Sequence, residues 1–338
     1  MTSQVSVGIA GLGYWGPNLL RNFRSIDSCR VTAMSDLSSD RLLAQSRLYP
    51  DIRCVESADA LIEDDSLDAL VFALPAGQLP DLAMRAIKNG KHVMVEKPMA
   101  PSLSKGREML STAEASGLVT MADFTFIHSP PVRRLKALLQ EGNLGNPHYY
   151  QSTRINLGRF QPDVDVIWDL VVHDASILLY LFDRVPATVN AMGRGLNERV
   201  DTAHVSLVYQ DGLQAFIHVS WMAPMKVRMS LLACDRGMVL YDDVQPDEKI
   251  RVYQVEGQFD PETENSLVPT FRLGDVYIPR LPQEEALRNV ASSFIGAIQG
   301  ENEPLTDWMF GVRVLSVLEA ARESLLAGHS VSVEDVGS

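Results

Sequence analysis

The chain has 338 residues, 46% of them hydrophobic and 22% charged, which is enough apolar material for two cores and argues against a disordered protein. Acidic residues outnumber basic ones, 43 to 30, for a formal charge of −13, so a nucleic-acid backbone would be repelled and nucleic acid is not an expected partner. No apolar run approaches the roughly 18 residues a membrane helix needs, so no membrane partner is expected.

The first third alternates strand and helix. Val5 to Ala10 is a short apolar run of the kind buried on both faces of a parallel sheet. A glycine-rich turn and a helix from about Pro17 follow. Cys29 to Ser35 is a second strand ended by Asp36, and Arg41 to Leu48 a helix. Leu67 to Leu74 is a strand closed by Pro75, and Leu82 to Lys88 a helix stopped by Gly90. His92 to Val95 and Leu118 to Ala122 are strands separated by a helix from Ser104 to Ser116. Repeated strand–helix units imply a parallel sheet of the doubly wound α/β type.

After Asn146-Pro147 the pattern changes. His148 to Asn156 is a strand, and Val166 to Phe182 one strongly apolar helix. Strand candidates then follow with little helix between them: Ala187 to Met192, Ala203 to Tyr209, Leu213 to Trp221, Lys226 to Cys234, Met238 to Tyr241 and Ile250 to Val255. Several alternate apolar and polar residues, as in an antiparallel sheet with one covered face. Gly257 to Pro282 is predicted to be a long surface loop, and Glu284 to Ile298 and Trp308 to Leu326 are helical by period. The expected fold is an α/β Rossmann domain over 1–125 and an α+β domain with a large, mostly antiparallel sheet over 126–338, a C-terminal helix being free to pack back on the first.

Three groups of residues carry chemistry. Gly11-Leu12-Gly13-Tyr14-Trp15-Gly16 is G-x-G-x-x-G between a strand and a helix, and Asp36 closes the second strand about 20 residues later, the spacing of a dinucleotide site. Gly11 permits the tight turn, Gly13 lets amides approach a pyrophosphate, and Gly16 lets the helix pack on the strand. Pro17 suits the first helical turn. Asp36 would accept the ribose hydroxyls and repel a 2′-phosphate, so NAD is expected rather than NADP. Leu37, Leu74 and Pro75 lie at neighbouring strand ends and join the predicted cofactor site. Glu96-Lys97-Pro98 follows a strand at the sheet edge where ligands bind. Lys97 would steady a substrate oxygen, or else be a turn lysine fixed by Pro98. Asp169 and His173 stand at i and i+4 on a largely apolar helix. His173 would act as general base, with Asp169 orienting it, unless the two are only a helix-surface pair.

The stretches GLGYWGPNLLRNF, GKHVMVEKPMA (Gly90 to Ala100) and IWDLVVHDASILLYLF (Ile167 to Phe182) resemble the Gfo/Idh/MocA oxidoreductase family over nearly the whole chain. The resemblance implies that Lys97, Asp169 and His173 line an active site between two domains. It also implies that Glu96 and Lys97 approach the cofactor and that the protein is a homodimer or homotetramer. The stretches RINLGRF, HVSWMAPMKVRMSLLACDRGMVLYDD and VYIPRLPQEEALRNVASSFIGAI are similar to members acting on nucleotide-linked sugars, often at C3 of a UDP-linked N-acetylated sugar acid. Arg154, Asn156 and Arg159 are then candidate substrate contacts. Inositol or a free aldose as substrate, an NAD-dependent glycosidase and a non-catalytic NAD-binding protein are the alternatives. Many relatives carry Thr-Pro followed four residues later by His, where this chain has Leu74-Pro75-Ala76-Gly77-Gln78-Leu79. His92, His128, His148, His204 and His218 show no ligand spacing, so no metal is expected. Cys29, Cys54 and Cys234 form no CxxC pair, and the opening MTSQ carries no basic-then-apolar leader, so the expected location is cytoplasmic.

Overall fold

The computed structural model describes residues 4–158, 164–196, 199–257 and 271–337. They divide into two compact units, one of Met1–Ser129, Glu284–Glu319 and Asp335–Ser338, the other of Pro130–Gln283 and Ala320–Glu334. The first unit therefore runs a few residues past 125 and takes in the segment from Glu284, which a single cut at 125/126 assigns elsewhere.

In the first unit, β1 (Val5–Ala10), α1 (Gly16–Arg24), β2 (Cys29–Ser35) and α2 (Ser39–Leu48) follow the order expected. The short β3 (Arg53–Val55) and α3 (Ala58–Ile62) were not predicted, since three and five residues are too few to show a period. Then come β4 (Ala69–Phe72), α4 (Leu79–Lys88), β5 (His92–Glu96), α5 (Leu103–Glu114) and β6 (Thr120–Asp123). The six strands form one sheet in the order β3-β2-β1-β4-β5-β6, with all pairs parallel. β4 is buried along its whole length, which explains its unbroken apolar sequence. A 3-10 turn, Thr125–His128, leaves the sheet.

The helix α8 (Ala286–Ile298) belongs to this unit. Leu287, Val290, Ala291, Phe294 and Ile295 join the core made by Val7, Ile9, Leu19, Leu20, Phe23 and Met34. Phe23 and Phe294 meet edge to face at 6.2 Å. The turn after α8 closes on β6, where Thr306 Oγ1 donates to Ala122 O (2.7 Å) and Trp308 Nε1 to Met121 O (3.2 Å).

The second unit begins with α6 (Pro130–Gln140), to which the sequence analysis assigned no element; its opening Pro130 and Pro131 suit a first helical turn. A nine-stranded sheet follows: β7 (Pro147–Leu157), β8 (Thr188–Arg194), β9 (Thr202–Val208), β10 (Gln214–Ser220), β11 (Met222–Cys234), β12 (Gly237–Asp242), β13 (Ile250–Gly257), β14 (Phe271–Tyr277) and the two-residue β15 (Val331–Ser332). Its order is β14-β13-β12-β11-β7-β10-β9-β8-β15, with only the β7–β10 pair parallel. Strand β9 alternates buried and accessible residues as expected of a sheet with one covered face. The end of the second long helix, α9 (Trp308–Ala327), lies in this unit, where Ser324 Oγ accepts the Ala191 N–H at 2.9 Å.

Two expectations are corrected. Part of the loop predicted over 257–282 is strand β14, paired antiparallel with β13. Its pairing slips between Tyr253 and Val255, and that irregularity together with Gly274-Asp275 breaks the two-residue period that would have revealed it. The apolar helix from Val166 is not uniform. Ile167–Val171 is a π-helical turn, followed by α7 (Val172–Phe182). Cys29 and Cys234 are buried, each thiol pushed up to about 12 by burial, whereas Cys54 is exposed.

Candidate active site

The glycine loop joins β1 to α1 and is fixed from both sides. Gly11 has φ +92°, and a Cβ there would sit 2.4 Å from Ala73 O. A Cβ on Gly16 would sit 1.9 Å from Gly11 O, so only glycine lets α1 start this close to the strand. Gly13 differs: a Cβ there meets nothing nearer than Arg41, at 3.9 Å. No protein contact demands glycine at that position. Helix α1 begins at Trp15 with no side-chain cap and no acid in its first turn, leaving its positive end to an anion. Tyr14 and Trp15 are exposed and meet edge to face at 5.2 Å. Leu74 packs against Gly11, and Pro75 starts the turn into α4, its carbonyl accepting the Gln78 N–H at 2.9 Å.

Asp36 does more than the sequence suggested. Its Oδ2 accepts the Leu12 N–H at 2.6 Å and its Oδ1 the Ser38 N–H at 2.8 Å, so one carboxylate ties the glycine loop to the turn before α2. Its side chain is only 7% exposed, and the half-exposed Arg41 guanidinium lies 3.6 Å away. Leu37, beside it, is exposed. Arg41 was not among the predicted site residues; its place in the first turn of α2, five residues after Asp36, was the available signal. The vacant space at Gly13, the uncapped helix and the anchored Asp36 together fit a dinucleotide: the loop amides would hold its diphosphate and Asp36 its ribose.

At the carboxyl end of β5, Glu96 is buried and its Oε2 accepts the Lys97 N–H at 3.1 Å. Asp123, at the end of β6, is its register partner. Burial, then the Asp123 charge, pushes the Glu96 carboxyl well above its ordinary range, with Lys97 opposing. Burial pushes Asp123 up to about 6, against a hydrogen bond from Thr125 and the Lys97 charge. Asp123 was missed because a lone acid ending a strand looks like a turn residue.

In the second unit Asp169 lies in the π turn and His173 in the first turn of α7. Asp165 Oδ1 caps the segment, accepting the Ile167 and Trp168 N–H groups at 3.0 and 3.1 Å. Asp169 Oδ2 accepts the indole N–H of the buried Trp221 at 3.0 Å. A π turn re-aims side chains within a helix, and such turns are frequent at functional sites. Trp221 is a site residue that the sequence reading missed. Asn156 is close by: a Cβ on Gly158 would be 2.9 Å from Trp221 and 3.0 Å from Asn156 Oδ1, and that oxygen, though buried, has no hydrogen-bond partner among the described residues.

Arg154 is placed otherwise than expected. It is buried, its Nε donating to Asp174 Oδ2 at 3.1 Å, while the Tyr150 hydroxyl donates to Asp174 Oδ1 at 3.0 Å. The guanidinium is thus ion-paired with the buried Asp174, an arrangement that the sequence reading did not foresee. Arg159 lies outside the described residues. Among those residues no group of three or more His, Cys, Asp or Glu could hold a metal, and no helix is long and apolar enough to cross a membrane.

Residues 5–124 match the family described as "Oxidoreductase family, NAD-binding Rossmann fold", and residues 132–240 match the "GFO/IDH/MocA C-terminal domain". The myo-inositol 2-dehydrogenase of Thermotoga maritima is 24% identical over 98% of this chain and 99% of that enzyme. The UDP-N-acetylglucosamine 3-dehydrogenase of Acidithiobacillus ferrooxidans is 23% identical over 95% and 97%. A crystal structure of an Agrobacterium radiobacter oxidoreductase with NAD+, L-tartaric acid and magnesium shares the fold, with a TM-score of 0.81 at 19% identity over 98% of both chains. With the glycine cradle in the first matched segment and Asp169 and His173 in the second, the chain belongs to the Gfo/Idh/MocA oxidoreductase family, an NAD-binding Rossmann domain followed by that family's C-terminal domain.

Proposed function

We propose that the protein is a cytoplasmic dehydrogenase that oxidises a secondary ring hydroxyl of a nucleotide-linked sugar, using NAD in preference to NADP. The observation that carries this reading is the anchoring of Asp169 by Trp221 at 3.0 Å, one helical turn before His173. In this reading Asp169 is the acidic neighbour of the His173 imidazole, and the buried acceptor Asn156 Oδ1, close to Trp221, suits a sugar hydroxyl.

In this reading the loop from Gly11 to Gly16 and Asp36 hold the cofactor, with Leu74, Pro75 and Glu96 beside it. NAD supplies the hydride acceptor when bound. His173 takes the proton of the reacting hydroxyl. Asp169 orients the imidazole and stabilises its charged form, and Trp221 keeps Asp169 from turning away. Lys97, at the sheet edge where ligands of such folds bind, steadies the oxygen as it loses its proton. Asn156 accepts a hydrogen bond from a neighbouring hydroxyl. Arg154 is ion-paired with Asp174, and in this reading that pairing, rather than a substrate group, is its main role. The cofactor preference rests on the inward-held Asp36 carboxylate, which would face a 2′-phosphate.

The substrate class draws support from the similarity to the UDP-N-acetylglucosamine 3-dehydrogenase, and the inositol dehydrogenase similarity makes inositol the comparison substrate. The assembly in this reading is a homodimer or homotetramer. On one face of the second sheet, Met192 of β8 and Phe216 of β10 stand exposed on the two strands that flank β9. The test is a panel of UDP-linked and free sugars, inositols and glycosides followed at the NADH absorbance, with NAD and NADP compared. NADH formation with a UDP-sugar at higher kcat/KM than with inositol is the expected result. NADH from inositol alone, glycoside hydrolysis without net NADH, or no turnover with any substrate would each contradict it.

A further inference from the structure

Glu96 and Asp123 are an unusual pair to find at the end of two parallel strands. Direct pairing of β5 with β6 sets them side by side, so both side chains leave the sheet on the same face, with strands about 4.8 Å apart. Both are buried, at 8% and 1% exposure. Glu96 Oε2 accepts the Lys97 N–H and Asp123 Oδ1 accepts the Thr125 hydroxyl at 2.7 Å. Glu96 Oε1 and Asp123 Oδ2 are buried with no hydrogen-bond partner among the described residues. Two buried carboxylates on adjacent, directly paired positions repel each other, which disfavours ionising both, and each has one donor to only one of its oxygens among the described residues.

We propose that Glu96 and Asp123 share one proton and present a single negative charge to Lys97, so that Asp123 is a positioning residue for the Lys97 ammonium. This rests on the reading of Lys97 as an active-site amine. It is distinct from the glycine loop and from the Asp169–His173 segment, neither of which uses Asp123. Among the described residues the two carboxyls act on each other, and the Lys97 charge acts on both. Strand β4, on the other side of β5, is apolar from Ala69 to Phe72. The 3-10 turn brings Thr125 and His128. The segment that pairs with Ala122 brings Thr306 and Trp308, while Asp307 between them caps Phe310 at 2.7 Å and responds to Glu303 and Arg313. The raised carboxyls agree with a shared proton: the pair loses its two protons in separate steps.

The experiment is infrared difference spectroscopy of the full-length protein as a function of pH, reading the C=O stretch of a protonated carboxyl. The wild type is expected to keep one such band at pH 7 that titrates away above it. Asp123→Asn should abolish the band at that pH, because Glu96 alone then ionises. Lys97→Ala should move the band's titration upward by about one pH unit or more, because the cation that favours the anionic form is gone. No protonated-carboxyl band in the wild type at pH 7, a band retained in Asp123→Asn, or an unmoved titration in Lys97→Ala would overturn the proposal. If Asp123→Asn does not fold, the wild type and Lys97→Ala still decide it. Turnover of Lys97→Ala is read separately: normal turnover with a shifted band removes the catalytic role of Lys97 and leaves the shared proton standing.

Discussion

The glycine loop of the first unit and the Asp169–His173 segment of the second are built in opposite ways. The loop is contiguous in sequence, and its constraints are steric: Gly11 and Gly16 each leave no room for a methyl group. The Asp169–His173 segment gets its order from far away. Asp169 is held by Trp221, 52 residues later, and the Asp174 beside His173 by Tyr150 and Arg154, 24 and 20 residues earlier. A site made of backbone geometry announces itself in a short motif. A site made of side chains delivered by separate strands does not, because each partner looks ordinary where it stands.

Substitutions can sharpen or break this contrast, and the largest effect is expected at Arg154. Replacing it with Ala leaves Asp174 buried without its ionic partner, which should cost about 3–5 kcal/mol in denaturant unfolding. A stable variant with a raised KM for the sugar would instead restore Arg154 as a substrate contact. Next come the glycines. Gly16→Ala should weaken NAD binding by about 100-fold or more in calorimetry, because the loop must open to admit the new methyl. Gly13→Ala should leave stability unchanged, since its Cβ meets nothing nearer than 3.9 Å, yet also weaken NAD binding. Unaltered affinity in Gly13→Ala would mean that the space there is not the cofactor's.

Asp123 gives a pH-dependent effect of intermediate size. Its carboxyl is pushed from an ordinary value of 3.8 up to about 6, so between those values the folded protein binds more protons than the unfolded chain. Stability contributed by this group therefore falls as pH rises through that window. Asp123→Asn should gain on the wild type from pH 4 to pH 6, by at most about 3 kcal/mol, in urea unfolding at a series of pH values. A constant difference across the window would contradict the burial account. The smallest effect is expected for Trp221→Phe, which keeps the packing but removes the indole donor to Asp169. Turnover should fall about tenfold with NAD affinity unchanged, the value of one lost hydrogen bond to a charged group.

Much of the fold was legible because its signals are local. β1 and β2 stand where the apolar runs placed them, and the switch from alternating strand and helix to consecutive strands marked the second sheet. What escaped had physical causes. β3 and α3 are too short to show a period. β14 is irregularly paired. The π turn has the same apolar composition as the helix it interrupts, so counting i and i+4 treated Asp169 and His173 as positions on one regular helix. At the candidate site, the glycines and Asp36 stood out by their spacing. Trp221 and Asp123 were not, because what singles them out is a neighbour supplied by the fold: Asp169 for one, Glu96 for the other. The Arg154–Asp174 pair was not visible either, since it joins a strand to a helix 20 residues later.

The most direct test of the account is the rate of NADH formation in a single turnover by His173→Ala, with NAD and a UDP-sugar substrate both saturating. The account requires a rate lower by about 100-fold or more, the contribution of a positioned general base, in a protein that still binds NAD as the wild type does. A rate within about threefold of the wild type would show that the imidazole takes no proton in the reaction, and the assignment built on Asp169 and Trp221 would fall with it.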